Sequence, residues 1–195
     1  MKRITFILGG LFFLGACAHK QPKSVVTTEK TVGEKFAEAY QKQDWKTVVA
    51  IGDTLIDEKD TMNLTIAYAE ALAATGNPRK ALTLLDKKLE SELDNYYLFQ
   101  TKGNVYYTIE KYDSALINYE KVIVMKPSYA RPYINEAQIY ELLGDKEHAI
   151  VNYLAAAKLF KANNYLKETI EFANKVLSLD PTNEEAKELL GIESN

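Results

Sequence analysis

The sequence predicts an all-α fold, a solenoid of stacked helix hairpins, and two observations carry this prediction. From about Glu29 onward there are few glycines and no strand-like alternation of apolar and polar residues. Over the same stretch, residues of similar kind recur 34 positions apart in five columns: Ala81, Ala115 and Ala149; Leu82, Leu116 and Ile150; Ala69, Gly103 and Ala137; Leu72, Tyr106 and Tyr140; Leu85, Tyr119 and Tyr153. Five columns in one register indicate a repeat architecture.

Close helix packing is the physical reason for such columns. Gly103 and Ala115 are expected to face each other within one hairpin, because small side chains let two helix backbones approach. One hairpin cannot bury its apolar face alone, so the stability of the array is a sum over neighbour interfaces. Four tyrosines are expected to join each hairpin to the next: Tyr106, Tyr119, Tyr140 and Tyr153.

Residues 96–129 form the best-defined unit. Seven small, aromatic or proline residues define its pattern: Phe99, Gly103, Tyr106, Tyr112, Ala115, Tyr119 and Pro127. This pattern resembles the tetratricopeptide repeat, a helix-turn-helix of 34 residues, and departs from it at Lys102, where a leucine is usual. The resemblance implies a right-handed α-solenoid whose first helices line a concave surface.

Four such repeats are predicted, over residues 29–61, 62–95, 96–129 and 130–163. The first is irregular, with Asp44 and Trp45 at its turn. In the second, Asn77 is predicted to cap a helix that starts with Pro78. The fourth has Lys161 where a proline is expected, so its second helix is predicted to be long.

Residues 164–195 are predicted to form a degenerate helical pair that caps the array and covers its last apolar face. The first helix of this pair, about residues 165–179, ends at Asp180 and Pro181. The second, residues 183–190, follows a predicted capping box at Thr182–Glu185, where the spacing of hydroxyl and carboxylate is right for reciprocal hydrogen bonds.

The N-terminus is typical of an exported protein. Lys2 and Arg3 precede an apolar run, Ile4–Leu14, that is too short to span a bilayer, which takes roughly 20 residues. Gly15, Ala16 and the only cysteine, Cys17, follow. This resembles the lipobox of bacterial lipoproteins, which implies removal of residues 1–16 and lipidation of Cys17. An ordinary cleaved signal with a chance cysteine is the alternative.

Residues 17–28 are predicted to be a polar, lipidated tether that reaches at most about 35–40 Å. Ala18 follows the cysteine, where the family rule for inner-membrane retention requires an aspartate. The resemblance therefore implies anchoring in the bacterial outer membrane, and the absence of acidic residues directly after Cys17 favours its periplasmic face.

Composition and motifs argue against several function classes. Without the signal, 22 basic residues stand against 27 acidic ones, and no Lys/Arg cluster is visible in the sequence, so no nucleic-acid partner is expected. No metal-ligand spacing or phosphate-binding loop occurs, so no metal and no cofactor are expected. His148 is expected to be a solvated residue at a helix start, and no carboxylate pair stands out as catalytic.

The resemblance implies that partners bind on the first helix of each hairpin. The residues at those positions are Tyr40 in the first repeat, Ile66 and Glu70 in the second, Tyr97, Gln100, Asn104 and Tyr107 in the third, and Arg131, Ile134, Gln138 and Glu141 in the fourth. Alternatively, Tyr97 and Tyr107 only pack against neighbours. A carboxylate clamp like that of chaperone-tail receptors is not expected, since it needs two more cations; Asn104 and Asn135 fit it, but Gln100 does not.

The sequence therefore predicts a membrane-anchored adaptor lipoprotein, not an enzyme, that binds a protein or peptide partner in a bacterial cell-envelope assembly. Two alternatives stay open: a periplasmic carrier that binds a peptide or glycan in the groove, and a wall hydrolase. A cleft with converging carboxylates would favour the hydrolase, and a broad groove with exposed aromatic residues would favour the adaptor.

Overall fold

The computed structural model describes residues 30–56 and 61–192, and all regular structure within these ranges is α-helical. The predicted signal peptide, Cys17 and the tether lie outside the described residues. The described helices are α1 (Val32–Gln41), α2 (Trp45–Leu55), α3 (Met62–Ala74), α4 (Pro78–Ser91), α5 (Tyr96–Thr108), α6 (Tyr112–Met125), α7 (Ala130–Leu143), α8 (Lys146–Ala162), α9 (Leu166–Leu179) and α10 (Glu184–Leu190).

Residues 31–192 form one compact unit in which every helix packs against the next along the chain. The first helices of neighbouring hairpins also meet where α3 packs on α5, as stacking requires. The predicted all-α solenoid of hairpins is therefore confirmed. None of the described helices is long and apolar enough to cross a membrane.

The core is a chain of local clusters, each shared by neighbouring helices. One cluster joins α1, α2 and α3 around Phe36 and Val48. The next joins α3, α4 and α5 around Leu72, Leu85 and Leu98, all of them fully buried. Because no single cluster spans the array, each hairpin depends on its neighbours for burial, as expected of a repeat fold.

The side chain that a methyl group at Gly103 would meet first is Tyr119, one turn along α6 from the expected Ala115, and the facing of Gly103 and Ala115 stays a prediction. Both residues are buried, but a methyl group at Gly103 would overlap the ring of Tyr119 on α6. The missing side chain at Gly103 therefore makes room for a tyrosine ring, while Ala115 packs in a cluster with Tyr119 and Ile139 of α7. Tyr119 thus holds its own hairpin together and also reaches the next one.

Gly52 of α2 has the same role in the irregular first repeat, because a methyl group there would overlap the ring of Tyr68 on α3. The Tyr68 hydroxyl donates a hydrogen bond to Asp53, and Lys80 Nζ lies 2.6 Å from the same carboxylate. The Lys80 and Tyr68 hydrogen bonds hold the pKa of Asp53 below its usual value. A buried tyrosine behind a glycine is therefore a recurring joint of this array.

Helix capping differs from prediction at two places. Asn77 stands at the N-cap of α4, but its side chain makes no cap hydrogen bond and donates instead to a backbone carbonyl two residues earlier. The predicted box at Thr182–Glu185 is absent, because α10 is capped by Asn183, whose Oδ1 accepts from Ala186 N at 3.0 Å. A reciprocal capping box does occur before α1, at Thr31–Glu34.

The C-terminal helices cover the last apolar face. The prediction of a long second helix in the fourth repeat is confirmed, since α8 has 17 residues. Near its end Phe160 stacks on Phe172 of α9, with ring centroids 5.6 Å apart, and Tyr153 stacks on the same ring at 5.9 Å. Ala186 of α10 is fully buried in this cluster, so both closing helices contribute to it.

One carboxyl group is poorly solvated at the joint between α6 and α7. Glu136 on α7 is half-buried near the hydroxyls of Tyr133 and Tyr140 and the carboxylate of Glu120. Burial, with a smaller contribution from Glu120, raises the pKa of Glu136 to about 7. No ion pair to Glu136 is found among the described residues, so its charged form is not compensated.

Gly103→Ala should lower the free energy of unfolding by about 1–3 kcal/mol, because the added methyl group displaces the buried Tyr119 ring. The loss should appear although alanine is intrinsically the better helix former by about 1 kcal/mol. Gly33→Ala in α1 is the matched control, since a methyl group there meets nothing within 4 Å. Urea unfolding followed by circular dichroism measures the free energy of unfolding of both variants. Equal stability of the two variants would contradict the packing of the Tyr119 ring against Gly103.

Glu136→Gln should raise the melting temperature at about pH 8 and leave it unchanged at about pH 4. The folded-state pKa of Glu136, about 7, lies above its usual value of 4.5, so the wild type loses stability as the pH rises through this window. Glutamine carries no charge and avoids the loss. Glu188→Gln, on an exposed carboxylate, is the control. A pH-independent difference between the wild type and Glu136→Gln would mean that Glu136 is well solvated.

Candidate functional site

The predicted binding residues fall into three groups along the first helices. In the first group, the Tyr40 hydroxyl donates to Glu70 Oε2 at 2.5 Å and so joins α1 to α3. Burial and this hydrogen bond raise the pKa of Tyr40 to about 12. Tyr40 and Ile66 also line an apolar recess of about 480 Å³ with Phe36 and Leu64. Glu70 is therefore occupied by a structural contact, and the space beside it is apolar.

The second group is a cluster of amide side chains, which we call the amide cluster: Gln100 and Asn104 on α5 and Asn135 on α7. Asn104 Oδ1 accepts three hydrogen bonds of 3.0 Å, from Gln100 Nε2, Asn135 Nδ2 and the Tyr119 hydroxyl. One side chain thereby fixes the orientation of groups from three helices. Burial raises the pKa of Tyr119, which keeps its hydroxyl a proton donor.

Gln100 is not exposed on the surface as its predicted role requires, since only 5% of it is accessible. Its Oε1 is buried and has no hydrogen-bond partner among the described residues. An unsatisfied buried acceptor costs about 1–3 kcal/mol, so this oxygen favours a state in which a donor reaches it. Beside it, Asn104 stays half-buried, which leaves the amide cluster an accessible edge.

Tyr97 both packs and stays accessible. Its ring lies 4.1 Å from that of Tyr96 and 6.2 Å from that of Tyr129, while 42% of the residue is exposed. Tyr107 is half-buried, with its ring 5.9 Å from that of Tyr112. The alternative that these tyrosines pack against neighbours therefore holds for part of each ring.

The third group lies around a recess of about 680 Å³ between α7, α8 and α9, which we call the aromatic recess. Arg131, Ile134 and Gln138 form its α7 wall, and Arg131 and Gln138 are exposed. The remaining wall is rich in aromatic rings that were not among the predicted site residues: Tyr129, Phe160, Tyr165 and Phe172. Their signal in the sequence is the aromatic content of the α8–α9 junction, which by itself favours a core role.

Glu141 is held at the edge of this region. The Tyr153 hydroxyl donates to Glu141 Oε2 at 2.7 Å, and Lys175 Nζ lies 3.6 Å from the other carboxylate oxygen. A smaller recess beside Glu141 is lined by Tyr107 and Gln138. Because Gln138 lines both this recess and the aromatic recess, it connects the third-repeat and fourth-repeat residues of the predicted site.

The structure also brings together a group of cationic side chains from separate parts of the sequence. Arg79, Lys80 and Lys87 of α4 meet Lys111, from the turn before α6, around a recess of about 920 Å³, which we call the cationic recess. No Lys/Arg cluster is visible along the sequence, whereas the fold places these four cations around one recess. Local signs in the sequence are the adjacent Arg79 and Lys80 and the spacing of seven between Lys80 and Lys87, which puts these two lysines on one side of a helix.

Groups suited to catalysis or metal binding are sparse in the described ranges. No cluster of three or more His, Cys, Asp or Glu side chains there could hold a metal ion. His148 is exposed at the start of α8, with Nδ1 2.7 Å from Asp145 Oδ2 and its ring stacked on Tyr140. Neither Glu136 nor Glu120 lines the recesses described above, so this carboxylate pair has no cleft.

Comparison with known sequences gives matches to part of the chain. Residues 96–129 and 130–163 each match the family model of the tetratricopeptide repeat. Heat shock protein STI1 of Saccharomyces cerevisiae is 29% identical over 93 residues, and the STIP1 homolog of Dictyostelium discoideum is 26% identical over 93 residues. These alignments cover 47% and 48% of this chain but only 16% of either curated relative.

Solved structures are similar over most of the chain. MamA 41-end from Desulfovibrio magneticus RS-1 has a TM-score of 0.60 at 20% identity, covering 82% of this chain and 88% of that one. TTC0263, a thermophilic TPR protein in Thermus thermophilus, has a TM-score of 0.56 at 14% identity, covering 80% and 94%.

Identities this low establish a shared fold alone. Two hairpins of this chain nevertheless match the repeat model directly, and the array has the fold of a solved protein of the same kind. Residues 96–163 are therefore tetratricopeptide repeats, and they lie within an array that has the fold of such proteins.

Proposed function

We propose that the protein is a non-enzymatic adaptor that binds an extended segment of a protein partner along α5 and α7. The aromatic recess, which α7 borders with the exposed side chains of Arg131 and Gln138, is the observation that carries this proposal. Asn104 and Asn135 are half-buried members of the amide cluster, and amide side chains can pair with a peptide backbone at both donor and acceptor.

The aromatic recess would supply selectivity beside this backbone contact. Tyrosine, phenylalanine and arginine offer large contact area and directional bonds, and such residues dominate binding energy at interfaces. Arg131 lies next to Tyr129. Burial raises the pKa of the Tyr129 hydroxyl, and the positive charge of Arg131 partly offsets this rise. A partner segment would then place an apolar or aromatic side chain in the recess and an acceptor against Arg131.

A periplasmic carrier is the second candidate, favoured by the same aromatic walls. Stacked rings beside exposed amides such as Gln138 could also hold a sugar ring. The wall-hydrolase alternative has less support, because the only carboxyl group with a strongly raised pKa among the described residues, Glu136, borders none of the recesses. Similarity to the repeat segment of STI1 supports the adaptor over both.

We further propose that Cys17 is lipidated and anchors the protein to the periplasmic face of a bacterial outer membrane, within a cell-envelope assembly. The support is the order of cations, apolar run and Leu14–Cys17 in the sequence. A short tether would then keep the repeats within reach of partners near that membrane.

A photo-reactive amino acid at position 138, in cells that produce the full chain, should crosslink one discrete partner. The same probe at exposed position 188 is the control and should give no such product. A crosslinked product that protease digestion removes indicates a protein partner, whereas a protease-resistant adduct indicates a glycan and the carrier. Equal products from both positions would contradict binding at the aromatic recess.

Arg131→Ala combined with Gln138→Ala should weaken that partner's binding by about thirtyfold or more, roughly 2 kcal/mol. Both residues are exposed, so the melting temperature should stay nearly unchanged. Lys167→Ala with Glu188→Ala is the matched control on exposed positions elsewhere. Full affinity in the first double variant would place recognition outside the aromatic recess.

Cys17→Ala should release the protein from membranes without changing its helical circular dichroism, because each lost methylene removes roughly 0.8 kcal/mol of anchoring energy. Fractionation at high salt measures the release. Ala18→Asp is the companion variant and should move the anchored protein from outer-membrane to inner-membrane fractions. If Cys17→Ala stays in the membrane pellet, the anchor is not the lipid.

A further inference from the structure

The cationic recess lies outside the proposed partner surface. Its wall consists of one side of α4, the second helix of its hairpin, together with Ile109 and Lys111 from the turn between α5 and α6. The amide cluster and the aromatic recess instead belong to α5 and to α7–α9. A ligand in the cationic recess would therefore not compete for the same side chains.

The charges of this recess are unusual for the chain. The protein as a whole is acidic, with a formal net charge of −3, yet four cations line the recess and no carboxylate does. Lys80 is committed to Asp53 by the 2.6 Å ion pair described above. Arg79, Lys87 and Lys111 form no ion pair among the described residues, so their charges are available to a ligand.

The position of two of these cations opposes helix electrostatics. Arg79 and Lys80 stand in the first turn of α4, where the helix dipole favours anions and disfavours cations. The first turns of α6, α8, α9 and α10 include acidic residues, and that of α4 includes none. The ion pair with Asp53 offsets this cost for Lys80, whereas Arg79 forms no ion pair among the described residues, so an anionic ligand would stabilise Arg79 there.

Apolar side chains lie between the cations. Leu82, Leu84 and Ile109 line the same recess, and the two leucines are half-buried against the α3–α5 core cluster. The ligand that complements this wall carries negative charges separated by apolar groups. With a volume of about 920 Å³, the recess has room for several amino-acid side chains.

We propose that the cationic recess docks an acidic segment of a partner protein, in which aspartate or glutamate residues alternate with apolar ones. This rests on the adaptor role proposed above. A recessed wall with apolar contacts suits a projecting peptide better than a flat bilayer, and three uncommitted cations are few for nucleic acid, which typically engages about six to ten. The array would then hold one partner along α5 and α7 and a second, acidic one at α4.

A labelled peptide of Glu-Leu-Glu-Glu repeats, about twelve residues long, tests the docking surface by fluorescence anisotropy with the full chain in mild detergent at low salt. The wild type should bind it, and Lys87→Glu with Lys111→Glu should weaken binding by about tenfold or more. A peptide with glutamine in place of glutamate should not bind. Raising the salt should weaken binding, because the attraction is between exposed charges.

Lys126→Glu with Lys167→Glu is the matched control, since it makes the same change in net charge at exposed lysines outside the recess. This control should bind within about twofold of the wild type. Arg131→Ala with Gln138→Ala should also bind the acidic peptide normally, which separates failure of this surface from failure of the aromatic recess. Melting temperatures of all variants exclude unfolding as the cause of a loss.

Three outcomes would overturn the proposal. No binding of the acidic peptide by the wild type, or an equal loss in both lysine double variants, would remove the recess as a specific peptide site. Binding of phosphatidylglycerol vesicles that Lys87→Glu with Lys111→Glu abolishes, without peptide binding, would assign the recess to a lipid surface instead.

Discussion

Tyr119 is the side chain on which the middle of the array depends. Its ring fills the space that Gly103 leaves open, and its hydroxyl donates to Asn104. Asn104 also accepts hydrogen bonds from Gln100 and Asn135. One buried tyrosine therefore connects the packing of a hairpin to the geometry of the amide cluster. In a repeat fold, whose stability is a sum over neighbour interfaces, such a joint sets both the spacing of the helices and the position of the groups they present. The core and the candidate binding surface therefore cannot vary independently here.

The period of 34 predicts the fold well because helix geometry repeats wherever a column of residues repeats. It cannot say which side chain fills the gap above a small residue, since that depends on the direction and rotamer of a residue on another helix. This is why the sequence predicts a close approach at Gly103 but not that the ring of Tyr119 fills the space there. Capping fails for a related reason: Asn77 is the right residue type at the right position, but its amide bonds to a nearby carbonyl instead.

The site is less predictable than the fold, because burial of a polar residue depends on its partners in space. Gln100 occupies a position that should face a partner, yet its bond to Asn104 draws it inward. The cationic recess could not be read from the sequence, since Lys111 lies 24 residues beyond Lys87 and meets it only after α4 and the α5–α6 turn have packed. A linear charge pattern reveals a cluster on one face of one helix, whereas the cations of this recess come from two different hairpins.

The cationic recess and the amide cluster rest on the same hydrophobic core cluster. Leu82 and Leu84, below the cationic recess, pack on the core cluster that also contains Leu98 and Val105 of α5, the helix that carries Gln100. The nine buried residues of this cluster are at most 8% exposed, and coupling between distant sites requires an element with two discrete arrangements that both ligands bias. A single buried cluster instead holds each surface in place whatever the other one binds. The expected behaviour is therefore additive binding of two partners at a fixed geometry, and a rigid repeat array serves as a scaffold for this reason.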